Sequence, residues 1–137
     1  MKTFREITGS DLEPDEHFDF DTRYVRPLPT RKEVDHAGAF PDIELPPGVF
    51  FDEWGIGMVP TELEIPDYKY HPLAGMTTVR EIEDFDWPDL EDESRYLPLR
   101  DKIEEFHRGG YAVSADMYQT IFETGWLMRG MEDYMPD

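Results

Sequence analysis

Asp116 is the residue of this 137-residue chain whose setting best suits chemistry. It closes the run Tyr111-Ala112-Val113-Ser114-Ala115-Asp116, which reads as a strand, and a helix is predicted to follow from about Gln119 to Tyr134. Open α/β proteins place ligand-facing groups at the carboxyl ends of their strands. A carboxylate there can act as a base or bind a cation. The plainer reading has Asp116 capping the following helix through that helix's exposed amides. Ser114 has no histidine near it in sequence and reads as a packed hydroxyl. His17, His36, His71 and His107 are far apart and form no HExxH pair, so they supply no ready zinc site. Asp84-Phe85-Asp86-Trp87-Pro88-Asp89 has the look of a calcium loop, but it lacks the glycine at its sixth position and has Arg95 at its twelfth. No GxGxxG, Walker or GxSxG motif occurs, and there is no cysteine. Dinucleotide, P-loop and elbow-serine chemistry are thereby excluded, as are disulfides, thiolate zinc and cysteine nucleophiles.

The elements that must position Asp116 follow from local pattern. Phe18, Phe20, Tyr24 and Val25 around Asp21-Thr22-Arg23 predict a strand over Asp21–Arg26, stopped by Pro27. Proline then breaks Leu28–Gly48 into a loop without regular structure. Val49-Phe50-Phe51 and Gly57-Met58-Val59 predict a hairpin about Asp52-Glu53-Trp54-Gly55, with Leu63, Ile65, Tyr68 and Tyr70 as a third strand. Thr78-Val79-Arg80-Glu81 is a capping box opening a short helix that Trp87-Pro88 stops. Ser94 is placed to cap a second helix, with Leu99, Ile103 and Phe106 on one stripe and Gly109-Gly110 as its stop. Tyr111–Asp116 reads as a strand buried on both faces, and Phe122, Trp126 and Leu127 as one side of the last helix. Ahead of all this, residues 1–18 read as a loose acidic lead-in, with a short helix near Ser10-Asp11 cut by Pro14. Helix, buried strand and helix in succession predict an α/β fold.

Charge limits the partners. Thirteen basic against 32 acidic residues give a formal charge of −19. Nucleic acid is therefore not an expected partner, since its binders carry a basic stripe; here the basic cluster is only Arg23, Arg26 and Arg31. Eight of the thirteen residues from Glu81 to Glu93 are acidic, which reads as a solvated face. No apolar run is long enough for a membrane helix, and the amino terminus lacks a secretory signal's apolar stretch, so a cytoplasmic protein without membrane contact is expected.

Several segments resemble, in order, the uroporphyrinogen decarboxylase-like superfamily. They are Phe51-Asp52-Glu53-Trp54-Gly55-Ile56-Gly57, His71-Pro72-Leu73-Ala74-Gly75, Thr78-Val79-Arg80-Glu81-Ile82-Glu83-Asp84 and Asp86-Trp87-Pro88-Asp89. Gly110-Tyr111-Ala112-Val113, Ile121-Phe122-Glu123 and Trp126-Leu127-Met128-Arg129-Gly130 continue the series. The likeness runs from about Asp19 to the end and is nearer to the decarboxylase-like and corrinoid methyltransferase-like members than to the housekeeping enzyme. It implies a partial TIM (β/α)₈ barrel over residues 19–137 with a β-hairpin insertion. In that superfamily the housekeeping enzyme removes the acetate carboxyls of uroporphyrinogen without a cofactor, and relatives transfer methyl groups between corrinoids and thiols using zinc. The arginine-rich substrate loop and catalytic aspartate of the former belong upstream of this stretch, and the zinc ligands of the latter downstream.

The chain is therefore expected to be an internal fragment, inactive alone, with no catalytic residue assigned and no metal or other cofactor. Zinc and corrinoid enter only if a longer protein is a methyltransferase. The candidate substrate-binding residues are Asp116, Arg26 and Trp126, the last matching the position of a substrate-binding tyrosine. Self-association, or pairing with a complementary barrel fragment, is the expected partnership, and a stand-alone acidic interaction module is the alternative of a different class.

Overall fold

A computed structural model describes residues 3–62, 65–117 and 119–136. The chain forms two compact units, one from residues 1–29 and 91–118, the other from 30–90 and 119–137.

The first unit begins with α1 (Phe4–Thr8) and α2 (Pro14–His17), then β1 (Thr22–Val25). After Glu91 it continues with a 3-10 turn at Glu93–Arg95, α4 (Leu97–Arg108) and β5 (Ala112–Ala115). β1 and β5 pair in parallel, Thr22 opposite Ala112 and Val25 opposite Ala115. Parallel neighbours require a long crossover, and α4 lies in it, packed against both strands. Its stripe seats as expected, with Phe106 buried, and Gly110 (φ +83) ends it. Beneath the amino ends of the strands, the buried Arg23 guanidinium lies 3.7 Å from the Tyr111 ring centre and bonds to the Phe20 carbonyl. The Asp19 carboxylate, on a residue at φ +50, accepts from both Tyr111 (2.9 Å) and Arg23 (3.1 Å).

In the second unit β2 (Phe50–Phe51), β3 (Gly57–Val59) and β4 (Asp67–Tyr70) form an antiparallel meander, followed by α3 (Val79–Glu83). Gly57 is required where β3 lies between Phe51 of β2 and Tyr70 of β4, because a Cβ there would lie 2.6 Å from Tyr70 Cβ and 2.8 Å from the Phe51 ring. Then α5 (Ile121–Arg129) and α6 (Met131–Tyr134) close the unit. Ile56, Leu73, Leu127 and Met128 make its core, with Trp54, Tyr68, Met76, Phe85 and Trp126 packed around them.

The sequence reading holds for β1, the hairpin, the Thr78 capping box and the Gly109-Gly110 stop, and differs elsewhere for local reasons. Thr3 and Glu6 form a capping box that starts α1 early, and Pro14 opens α2 instead of cutting a helix, since its fixed φ suits a first turn. Ser94 caps nothing: Asp92 accepts from its amide, and α4 starts at Leu97 with Pro98 in its first turn. Leu28–Gly48 contains a 3-10 turn at His36–Ala39. Leu63 of the third-strand reading lies outside the described residues. β5 is not buried on both faces; Ala112 and Ala115 are exposed, because among the described residues it has one strand neighbour and one helix over it. The last helix is two, broken at Gly130 (φ +85), and Phe122 faces solvent. Among the described residues the architecture is mixed α/β, with a two-stranded parallel and a three-stranded antiparallel sheet and no closed barrel.

Candidate functional site

The carboxyl ends of β1 and β5 bring together two of the three candidate residues. In a parallel pair, opposed residues share a face. Tyr24 lies opposite Ser114, so Thr22, Tyr24 and Arg26 fall with Ala112, Ser114 and Asp116 on one side. In β1 burial follows that alternation: Arg23 and Val25 are buried, while Tyr24 keeps 54% of its surface exposed. Just past the last rungs, Arg26 and Asp116 form an ion pair, its guanidinium donating to the carboxylate through Nη2 and, at 3.2 Å, through Nε. The Asp116 amide also donates to the Val25 carbonyl at 2.8 Å, which fixes its backbone at the strand end.

Asp116 therefore caps no helix. Glu123 serves α5, its carboxylate accepting from the Thr120 amide at 3.0 Å. The Arg26–Asp116 pair is largely solvent-exposed, and pairs of that kind contribute about 0–1 kcal/mol. Backbone pairing of the strands does not depend on it. What it sets is the aim of a guanidinium at a strand end, where its two-pronged donor geometry matches a carboxylate or phosphate.

Trp126 belongs to the second unit, half-buried against the Ile56–Leu73 core, and its role there is packing. Around it lies a contact network that sequence reasoning did not find. His71 Nδ1 sits 2.6 Å from the Leu127 carbonyl oxygen, and because a carbonyl only accepts, Nδ1 carries the proton. The Leu73 amide donates to the Met128 carbonyl (2.9 Å), so the His71–Gly75 loop satisfies the last turn of α5. In return Arg129 donates to the carbonyls of Leu73 and Met76, both at 2.8 Å. Partners 53–56 residues apart leave no spacing signal in the sequence.

Perturbed titration also concentrates in the second unit. Burial pushes the Asp52 carboxyl up to about 6, although its Oδ1 accepts from the Trp54 and Ile56 amides at 2.9 Å each. Burial lowers His36, opposed by the nearby charges of Asp86 and Asp35. Glu81 is held below the ordinary carboxylate range by the amides and hydroxyls of Thr77 and Thr78. Asp52 holds the hairpin turn, and Glu81 caps α3. Among the described residues no group of three or more His, Cys, Asp or Glu could hold a metal ion, and no helix is long and apolar enough to cross a membrane.

Comparison of the chain with protein-family models, with curated proteins and with solved structures gives no match.

Proposed function

We propose that the chain is one stretch of a uroporphyrinogen decarboxylase-like (β/α)₈ barrel. It carries two neighbouring barrel strands, the helix between them and a hairpin insertion, and its Arg26–Asp116 end faces a carboxylated substrate. The observation that carries this reading is the parallel β1–β5 pair, in register over four residues with α4 in its crossover. Such a unit is the repeating element of the barrel. A second support is the packing of the resembling segments. Trp54–Gly57, His71–Gly75 and Trp126–Gly130 are separate in sequence, yet they build one core, and the last two bond to each other. A motif series that is architectural in this way explains its fixed order without any catalytic role.

In decarboxylation the bond from the side-chain carbon to its carboxylate breaks, CO₂ leaves, and a proton takes its place on that carbon. On this reading the chain contributes anchoring: Arg26 holds a carboxylate of the substrate in exchange for Asp116. Among the described residues β1 and β5 have no strand neighbour but each other, so their outer edges are open to a further strand. Further strands, from a complementary barrel fragment or a second copy, would pair there.

The test uses uroporphyrin, the oxidised and coloured form of the tetrapyrrole, with cobalamin as the probe for the methyltransferase alternative. Both are titrated into the isotope-labelled chain and followed by NMR. Uroporphyrin is expected to shift Tyr24, Arg26, Ser114 and Asp116, with the effect lost in Arg26→Gln. Shifts caused only by cobalamin would assign the chain to the methyltransferase branch, and no response at the strand ends to either would refute the reading.

A further inference from the structure

Helix α5 is apolar at both ends. In its last turn Leu127 and Met128 are buried in the core, whereas in its first turn Ile121 and Phe122 keep 88% and 51% of their surface exposed. Apolar side chains of a surface helix are ordinarily covered by the core along one stripe, and this first turn is left uncovered. Past Gly130 the outer surface continues with Met131 and Met135, both exposed and four residues apart, hence on one helical face. The two helices are locked at Gly125. A Cβ there would lie 2.7 Å from the Tyr134 ring, so glycine lets that ring lie across α5. The ring meets Phe122 edge-on, with centres 5.7 Å apart. The result is a fixed aromatic floor with unbranched methionine margins, and methionine surfaces adapt to differently shaped apolar partners. The rim is acidic, from the exposed Glu123, Glu132 and Asp133. Arg129, the basic residue of this helix pair, directs its guanidinium inward to the Leu73 and Met76 carbonyls.

We infer that the outer face of α5 and α6 docks an amphipathic helix of another protein, apolar along one side and rich in lysine or arginine along its flanks. Charge decides among the occupants. A second copy would set Glu123, Glu132 and Asp133 against their own counterparts, between chains that each carry −19. A basic-flanked helix turns the same rim into attraction while its apolar side covers Ile121, Phe122 and the two methionines, the helix-in-groove mode of recognition. This inference stands apart from the barrel reading, since it concerns the second unit alone.

The experiment titrates the full chain into a fluorescently labelled leucine–lysine peptide of about 14 residues, long enough to fold as a helix on binding. A scrambled peptide of the same composition, without an apolar side, controls for bare charge. The designed peptide is expected to bind at least about tenfold more tightly than the scramble, and Ile121→Ser with Phe122→Ser to remove about tenfold of its affinity. Met135→Ser, at the exposed helix end, tests the same face without risk to the core and is expected to weaken binding severalfold. Glu132→Lys with Asp133→Lys is expected to weaken it as well, and Ile7→Ser, in the other unit, to leave it unchanged. Equal binding of the scramble, indifference to Met135→Ser, or a homodimer protected over residues 121–135 would overturn the proposal.

Discussion

The imidazole of His71 donates through Nδ1 to the carbonyl of Leu127, 56 residues later, and so closes the carboxyl end of α5. The loop that supplies this donor also receives Arg129 from the helix it closes. Each of the two segments thus satisfies polar groups the other would leave orphaned. Replacing His71 by Phe keeps a ring but leaves the Leu127 carbonyl without its donor, which is expected to cost about 1–3 kcal/mol. Urea denaturation of the two proteins measures it, and a loss below a few tenths of a kcal/mol would mean that water replaces the imidazole there.

Gly57 is expected to tolerate no side chain. A Cβ at that position meets the Tyr70 Cβ and the Phe51 ring, neither of which is a flexible chain end free to move aside. Gly57→Ala is therefore expected to destabilise the protein by about 1–3 kcal/mol through overpacking. Thermal denaturation checks it, and an unchanged midpoint would contradict the close approach of Tyr70 and Phe51 to Gly57.

Asp52 and His36 give stability opposite dependences on pH. The folded Asp52 keeps its proton to about 6, against an ordinary 3.8, because burial disfavours its charge. Its contribution to stability is therefore full below about 4 and is lost as pH rises to about 6. With solvent screening allowed for, that loss is roughly 1–2 kcal/mol. His36, lowered by burial, contributes stability above its ordinary 6.5 and loses it as pH falls through its folded value. Asp52→Asn retains the side-chain acceptor for the Trp54 and Ile56 amides but cannot titrate. Relative to this variant, the natural chain is expected to lose stability between pH 4 and 6, as read from denaturation curves at about half-unit steps. Parallel pH profiles for the two proteins would show that Asp52 is not the group responsible.

Much of the local structure was legible because its signals are local. The hairpin followed from alternating apolar residues around a turn, and the Thr78–Glu81 box from two side chains three residues apart, both bonds of which form. The same kind of box at Thr3–Glu6 carries the same local signal inside an acidic stretch with little apolar periodicity around it. What could not be read were relationships without a spacing. Arg26 and Asp116 are 90 residues apart, and the helix capping Asp116 was expected to perform is done by others. The break at Gly130 depends on a backbone at φ +85 that glycine permits but does not announce. The small apolar run at Tyr111–Asp116 looked like a strand covered on both sides because composition cannot count neighbours.

The chain alone is expected to release no CO₂ from uroporphyrinogen above a heat-denatured control. Stabilising the departing carboxylate and protonating carbon require several charged groups aimed at one substrate. The candidate end described here offers one guanidinium, already paired with Asp116. Measurable decarboxylation by the purified chain would contradict the view that it contributes anchoring only.

The proposed membership of β1 and β5 in a larger parallel sheet is a claim that sedimentation velocity combined with hydrogen exchange can decide. The charge of −19 opposes association at low salt but is screened beyond about 8 Å at physiological ionic strength, whereas strand pairing and apolar burial act at contact. At about 0.5 M salt the chain is therefore predicted to associate more strongly than at about 0.02 M, and those amides of Thr22–Val25 and Ala112–Ala115 that point away from the shared ladder gain protection as it does. A compact monomer at both salt levels, unfolding in one cooperative step with those amides unchanged, would contradict the claim and leave the chain a self-sufficient module.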